Sequence, residues 1–161
     1  MLVAWVLRPP SLRDAVVKWA VVAVGKIRDK SLRAVADEYR GRLEHYGSLR
    51  EVEIDDGSDE TLAPLFARHS KDHVIVALDS RGREFDSRGF AAFVERLNGT
   101  GKGNSSFLLG GKAGLGPLSL GLATHTISLS KLTLPHRLAR VFLYEQLYRA
   151  MTLIRGEPYG L

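Results

Sequence analysis

Two neighbouring stretches hold the residue types that could do chemistry. Gly110-Gly111-Lys112-Ala113-Gly114 supplies glycines that let backbone approach a ligand closely. Leu129-Ser130-Lys131-Leu132-Thr133-Leu134-Pro135-His136 supplies small residues, hydroxyls, a rigid proline and a histidine. Together they suggest backbone arranged to hold a ligand. His125 and His136 beside Ser128, Ser130 and Thr133 could be written as a hydrolase, but no G-x-S-x-G elbow is present. A hydroxyl-rich turn before a helix usually caps it, so Thr133 is the expected cap and Pro135 falls in the first turn. No two of the five histidines, His45, His69, His73, His125 and His136, have helical ligand spacing beside carboxylates, and no metal is expected.

Gly99-Thr-Gly-Lys-Gly103 invites a phosphate-loop reading. The Walker pattern needs a glycine where Arg96 stands and a hydroxyl where Gly103 stands, so a flexible surface loop is the expectation. The Gly110 turn reads G-G-x-x-G, which is not dinucleotide spacing, and only its place at the end of an apolar strand favours a ligand over a plain tight turn. Behind the second stretch, Arg137 to Ile154 has a helical pattern. Val141, Tyr144, Tyr148 and Met151 form one stripe and Leu143, Leu147, Ala150 and Ile154 an adjoining one, with Glu145, Gln146 and Arg149 as a narrow polar strip flanked by Leu138 and Phe142. So wide an apolar arc needs burial beyond its own sheet, which points to a two-fold dimer. Arg140 projects into that arc, either snorkelling from the first turn or meeting a phosphate at the helix N-terminus. Glu145 and Arg149, four apart, read as a helix-surface pair.

The elements that must position these residues alternate. Trp19 to Val24 is a continuous apolar run, as in a central strand buried on both faces. Asp29 or Ser31 can cap a helix carrying Leu32, Val35, Ala36, Tyr39 and Leu43, and Glu51 to Ile54 alternates as a half-buried strand. Thr61 to His69 suits a short helix with Pro64 in its first turn. His73 to Asp79 reads as a strand closed by Ser80-Arg81-Gly82, Ser87 as the cap of a helix ending at Asn98-Gly99, and Ser106 to Leu109 and Thr126 to Leu129 as further strands. Strands alternating with helices imply βαβ units and a largely parallel sheet, with ligands bound beyond the carboxyl ends of its strands. Leu78-Asp79, Gly110-Gly111 and Leu129-Ser130 sit at such ends.

The chain of 161 residues suits one domain. It has no cysteine, which excludes disulfide frameworks and thiolate chemistry, and no apolar run long enough for a membrane helix. A cytoplasmic protein is the simplest expectation. A net charge of +5 favours an anionic partner. Residues 1–17 contain Arg8-Pro9-Pro10 and lack a signal-peptide pattern, so they read as an N-terminal extension or a misassigned start, with the domain over 18–161.

The chain resembles the RlmH family of SPOUT-class methyltransferases. The matching residues are Lys18-Trp-Ala-Val-Val-Ala-Val-Gly-Lys26, Val76-Ala-Leu-Asp79, Gly110-Gly111-x-x-Gly114-Leu115 and Ser128-Leu-Ser-Lys-Leu-Thr-Leu-Pro-His136. Arg140-Val141, Glu145-Gln146, Tyr148-Arg149-Ala150 and Arg155-Gly-Glu-Pro-Tyr159 extend the match. The resemblance implies an α/β fold with a carboxyl-terminal trefoil knot, a homodimer, and use of S-adenosylmethionine to methylate N3 of a pseudouridine in helix 69 of large-subunit ribosomal RNA, on the ribosome. It implies that backbone at Leu78, at Gly110 and along Leu129, Ser130, Lys131, Leu132, Thr133 and Leu134 holds the cofactor. Arg140 and Arg149, with His136 as a weaker candidate, would bind RNA phosphate or orient the base, and Tyr159 belongs to the same terminal site. The family usually ends in Tyr-His followed by a basic residue, whereas this chain ends Tyr159-Gly160-Leu161, and its segment from Asp55 to Val74 is shorter than is typical. A weakened or inactive cofactor- or RNA-binding relative, or a SPOUT methyltransferase with another RNA target, are the alternatives.

Overall fold

The computed structural model describes residues 17–100 and 103–159. Five strands and five helices alternate: β1 (Val17–Val24), α1 (Lys30–Leu43), β2 (Gly47–Ile54), α2 (Asp59–His69), β3 (Val74–Arg83), α3 (Ser87–Asn98), β4 (Asn104–Leu109), α4 (Pro117–Leu120), β5 (His125–Ile127) and α5 (His136–Arg155). The strands form one parallel sheet in the order β2-β1-β4-β3-β5. This is the α/β architecture expected. β4 takes the middle position, and β1 is interior beside it.

Helices cover both faces of the sheet. Val17, Trp19, Val21 and Ala23 of β1 join the core shared with α1, α3 and α5, while Val22 and Val24 join the core of Leu62 and Phe66 from α2. Burial on both faces explains why β1 is apolar at consecutive positions rather than alternating. Asp29 caps α1 by accepting from the Leu32 amide at 2.9 Å. α3 is capped by Asp86, one residue before the expected Ser87, through a 2.7 Å bond from the Gly89 amide. Pro64 lies inside α2, which begins at Asp59 behind its Ser58 cap, rather than in the first turn. Pro64 and Glu60 are both exposed, so water can satisfy the carbonyl that the proline leaves unbonded.

Two expectations about strands change. Ser80-Arg81-Gly82 does not close β3, which continues to Arg83, so that Ile127 of β5 pairs with both Leu78 and Arg83. A Cβ on Gly82 would stand 2.6 to 2.7 Å from the Ile127 backbone, so only glycine allows this closeness. β2 alternates as expected, but its glutamates do not face water. They form a polar seam beneath α1 and α5, in which Glu51 accepts from Arg33 at 2.9 Å and from the Tyr144 hydroxyl, with Arg40 3.7 Å away. Burial alone would push the Glu51 carboxyl up, but Arg33 and Tyr144 hold it below its ordinary value. An ionised Glu51 therefore stabilises the fold above the ordinary carboxylate range, and that gain is lost as pH falls through its native value. As pH falls below the ordinary carboxylate range, the unfolding temperature should drop more steeply in the native protein than in Glu51→Gln. Equal slopes in thermal melts would reject this role.

The dimer argument from α5 also changes. Its apolar arc packs within the chain between α1 and α3, with Leu143, Tyr144, Leu147 and Ala150 fully buried. Only Leu138 and Phe142 of α5 remain as exposed large hydrophobics among the described residues. No helix among the described residues is long and apolar enough to cross a membrane. The Gly101-Lys102 centre of the expected surface loop, residues 1–16, and the Gly160-Leu161 terminus lie outside the described residues.

Candidate functional site

A cavity of about 430 Å³ opens beyond the carboxyl ends of β4 and β5, against the second half of β3. Its walls come from Leu78 to Arg81, from Leu109 to Leu115 and from the segment between β5 and α5. The Gly110 turn is folded on itself: the Gly114 amide donates to the Gly111 carbonyl at 3.0 Å, and Gly114 adopts φ +75°. A Cβ on Gly110 would lie 2.6 Å from the Gly114 oxygen and 2.7 Å from the Leu115 nitrogen. One on Gly111 would lie 2.9 Å from Val24 Cγ1. Close approach of backbone at Gly110 and of the Val24 side chain at Gly111 requires glycine at these positions, which keeps main-chain polar groups at the cavity wall.

The opposite wall is organised by serines. Ser128 Oγ donates to the Ser130 carbonyl at 2.9 Å, and the Leu132 amide donates to Ser130 Oγ at 2.9 Å. These local bonds fix the segment without secondary structure. Thr133 is not the cap of α5: Pro135 occupies that place, with no side-chain capping bond. Proline's restricted φ can start the helix there without a hydroxyl partner, and Thr133 is left on the cavity wall.

Of the expected cofactor residues, Leu78, Gly110, Leu129, Ser130, Leu132, Thr133 and Leu134 all line the cavity. Lys131 does not; its side chain is 81% exposed and sits 3.9 Å from Glu84. Asp79 and Arg81, absent from that set, form part of the wall, where Asp79 accepts from Arg81 Nε at 2.9 Å and Nη2 at 3.0 Å. That pair holds the Asp79 carboxyl below its ordinary range. The position of Asp79 at a strand end was the available signal. Leu115, the last residue of the matching Gly110-Gly111-x-x-Gly114-Leu115 motif, and Ala139, which carries no signal of its own in the sequence, complete the apolar lining.

The four residues expected to act on substrate do not converge within one chain. His136 lines the cavity, and burial, followed by the charges of Arg137 and Arg140, lowers its pKa against an opposing pull from Asp56. It is therefore an uncharged imidazole at neutral pH. Arg140 neither snorkels nor faces a phosphate. Its side chain is fully buried, donating to Glu53 at 2.9 Å and to the Gly25 carbonyl at 2.7 Å. Arg149 and Tyr159 stand near the other end of α5, where Arg149 bonds Glu145 at 2.6 Å and lies 5.0 Å over the Tyr159 ring. Thirteen residues of helix separate Arg149 from His136, a rise of about 20 Å. Tyr159 donates to Glu145 at 3.2 Å and packs against Tyr148. No group of three or more metal-ligating side chains occurs among the described residues.

The family described as "Predicted SPOUT methyltransferase" matches residues 17–160. A relative named ribosomal RNA large subunit methyltransferase H, from Sorangium cellulosum (strain So ce56), is 51% identical over 140 residues, covering 87% of this chain and 97% of that protein. A protein of the same name from Clostridium botulinum (strain Langeland / NCTC 10281 / Type F) is 36% identical over 154 residues, with the same coverage. Among solved structures, a probable methyltransferase from Bordetella pertussis Tohama I overlays with a TM-score of 0.49 at 16% identity, over 87% of this chain and 96% of that one.

Proposed function

Because the chain belongs to the SPOUT methyltransferase family, we propose that it methylates large-subunit ribosomal RNA with S-adenosylmethionine, at N3 of a pseudouridine in helix 69 on the assembled ribosome. The observation that carries the reading is the cavity at the carboxyl ends of β4 and β5, walled by Gly110, whose backbone no side chain can shield, and by the serine-fixed segment before α5. Its volume of about 430 Å³ and its mixture of leucines with main-chain polar groups fit an adenine with a polar tail. Bound there, S-adenosylmethionine supplies a methyl group already activated by its sulfonium, so the protein's share is positioning and loss of the N3 proton.

The chain's own residues divide that work. Leu78, Leu109, Leu115 and Leu134 exclude water from the cavity, and uncharged His136 offers a hydrogen-bonding group at its edge. Arg149 and Tyr159 bind RNA phosphate or orient the base. Their distance from the cavity supports completion of the site by a second copy, in a two-fold dimer. Leu138 and Phe142, exposed on the first two turns of α5, supply apolar surface for that contact. Membership of the family supports a trefoil-knotted carboxyl-terminal part. The ribosome as partner implies action in the cytoplasm.

Methyl transfer from labelled S-adenosylmethionine to ribosomes lacking the modification tests this reading, with free large-subunit RNA and transfer RNA alongside. Transfer to ribosomes, lost when the target pseudouridine is replaced by uridine, is expected. Transfer only to transfer RNA overturns the substrate assignment.

A further inference from the structure

We propose that Arg140 is a positioning residue for the cavity: it clamps the Gly25 peptide to α5 and Glu53, and so seats the His136 ring at the cavity edge. The inference rests on the reading of that cavity as the cofactor site. His136 and Arg140 are four apart in α5 and lie on one side of it. The Gly25 peptide is their common neighbour. Arg140 Nη2 donates to its carbonyl at 2.7 Å, and His136 Nε2 lies 3.6 Å from where a Gly25 Cβ would be. Gly25 has φ +85°, and its amide donates to the Ile54 carbonyl at 2.8 Å, so the turn after β1 is tied to the end of β2 as well.

The second arm of the clamp is Glu53. One carboxylate oxygen accepts from Arg140 Nη1 at 2.9 Å and from the Ile27 amide at 3.2 Å. Arg140 thus holds the Gly25 to Ile27 turn at both ends, directly and through Glu53. This turn adjoins the cavity's glycine loop, since Val24 is the residue that a Gly111 Cβ would strike. The cost of the arrangement argues for a role beyond stability. Arg140 is fully buried, and its Nε–H finds no acceptor among the described residues. Apolar replacement of a buried ion pair is often neutral or stabilising, so a guanidinium kept with a donor unsatisfied is poorly explained by stability alone. Its two parallel arms fix geometry in a way that an ammonium cannot.

The test follows the His136 ring by NMR and S-adenosylhomocysteine affinity by calorimetry. Arg140→Lys keeps the charge but cannot span Glu53 and Gly25. It should move the His136 ring resonances and their pH titration, in which Arg137 and Asp56 also take part, and weaken S-adenosylhomocysteine about tenfold. Tyr46→Phe, behind the end of α1, loses its bond to Glu157 and should melt lower while leaving both readouts as in the native protein. Native His136 signals in Arg140→Lys, or equal displacement in Tyr46→Phe, overturn the inference. Should Arg140→Lys fail to fold, Glu53→Gln decides on the same readouts: displaced His136 signals support the clamp and unchanged ones overturn it. Failure of the native protein to bind S-adenosylhomocysteine would reject the cofactor reading, while the ring spectra would still decide the clamp.

Discussion

Gly110→Ala is expected to weaken S-adenosylhomocysteine binding by about a hundredfold or more, equivalent to about 2.8 kcal/mol. The added methyl would meet the Gly114 oxygen at 2.6 Å and the Leu115 nitrogen at 2.7 Å, with the Gly114 carbonyl carbon also in its way. All three are backbone atoms of the turn that forms the cavity wall. None can rotate aside as a side-chain tip would, so the turn itself must move. Gly156→Ala, away from the cavity, is the matched control, because a Cβ there has nothing within 4 Å. Its cost is the strained φ of +68°, about 1 to 2 kcal/mol for a residue with a side chain. Calorimetry should therefore separate the variants by affinity even where their melting temperatures are alike. Native affinity in Gly110→Ala would remove the turn from the cofactor site.

Arg149→Ala should act on the other half of the reaction. Methyl transfer to ribosomes should fall about a hundredfold, the scale on which misplaced reacting groups lose rate. S-adenosylhomocysteine affinity should stay native, since Arg149 lies far along α5 from the cavity wall. The substitution removes the 2.6 Å bond to Glu145 and the cation stacked 5.0 Å over Tyr159. Glu145 also takes the Tyr159 hydroxyl at 3.2 Å, so the whole cluster loses its charge balance. Arg149→Lys should recover little, because an ammonium lacks the planar fork that both stacks and bonds. Equal loss of affinity and activity would mean that Arg149 supports the cavity rather than the RNA. If the proposed two-fold dimer completes each site with its partner, mixing Arg149→Ala with Gly110→Ala chains should restore activity that neither has alone, since such a mixed pair contains one site with both halves intact.

The sequence was most legible where local pattern and burial agree. β1 announced itself through an unbroken apolar run because both of its faces are covered. The cavity wall was legible because strand ends, glycines and hydroxyls fall close together along the chain. Arg140 was misread because its partners are 87 and 115 residues away, and helical periodicity cannot show what a polar residue meets in an apolar arc. Glu51 and Glu53 misled for the same reason: strict alternation suggested a water-facing side, yet two helices with arginines cover it. The continuation of β3 past Ser80 depends on contact with Ile127, 44 residues after Arg83, and no local signal encodes that.

The double pairing of Ile127 sets an order of assembly during synthesis. Chains emerge N-terminus first, so β1 to β4 can pair before Ile127 leaves the ribosome. β5 must then settle into an edge whose two contact points, Leu78 and Arg83, are already linked by the short stretch carrying Gly82. Eight of the nineteen residues of the cavity wall, between Ser128 and Ala139, follow β5 in the chain and are positioned after that step. A nascent chain stopped short of α5 would carry a nearly complete sheet and no competent pocket. Cofactor binding would thus report that β5 and the segment behind it are in place.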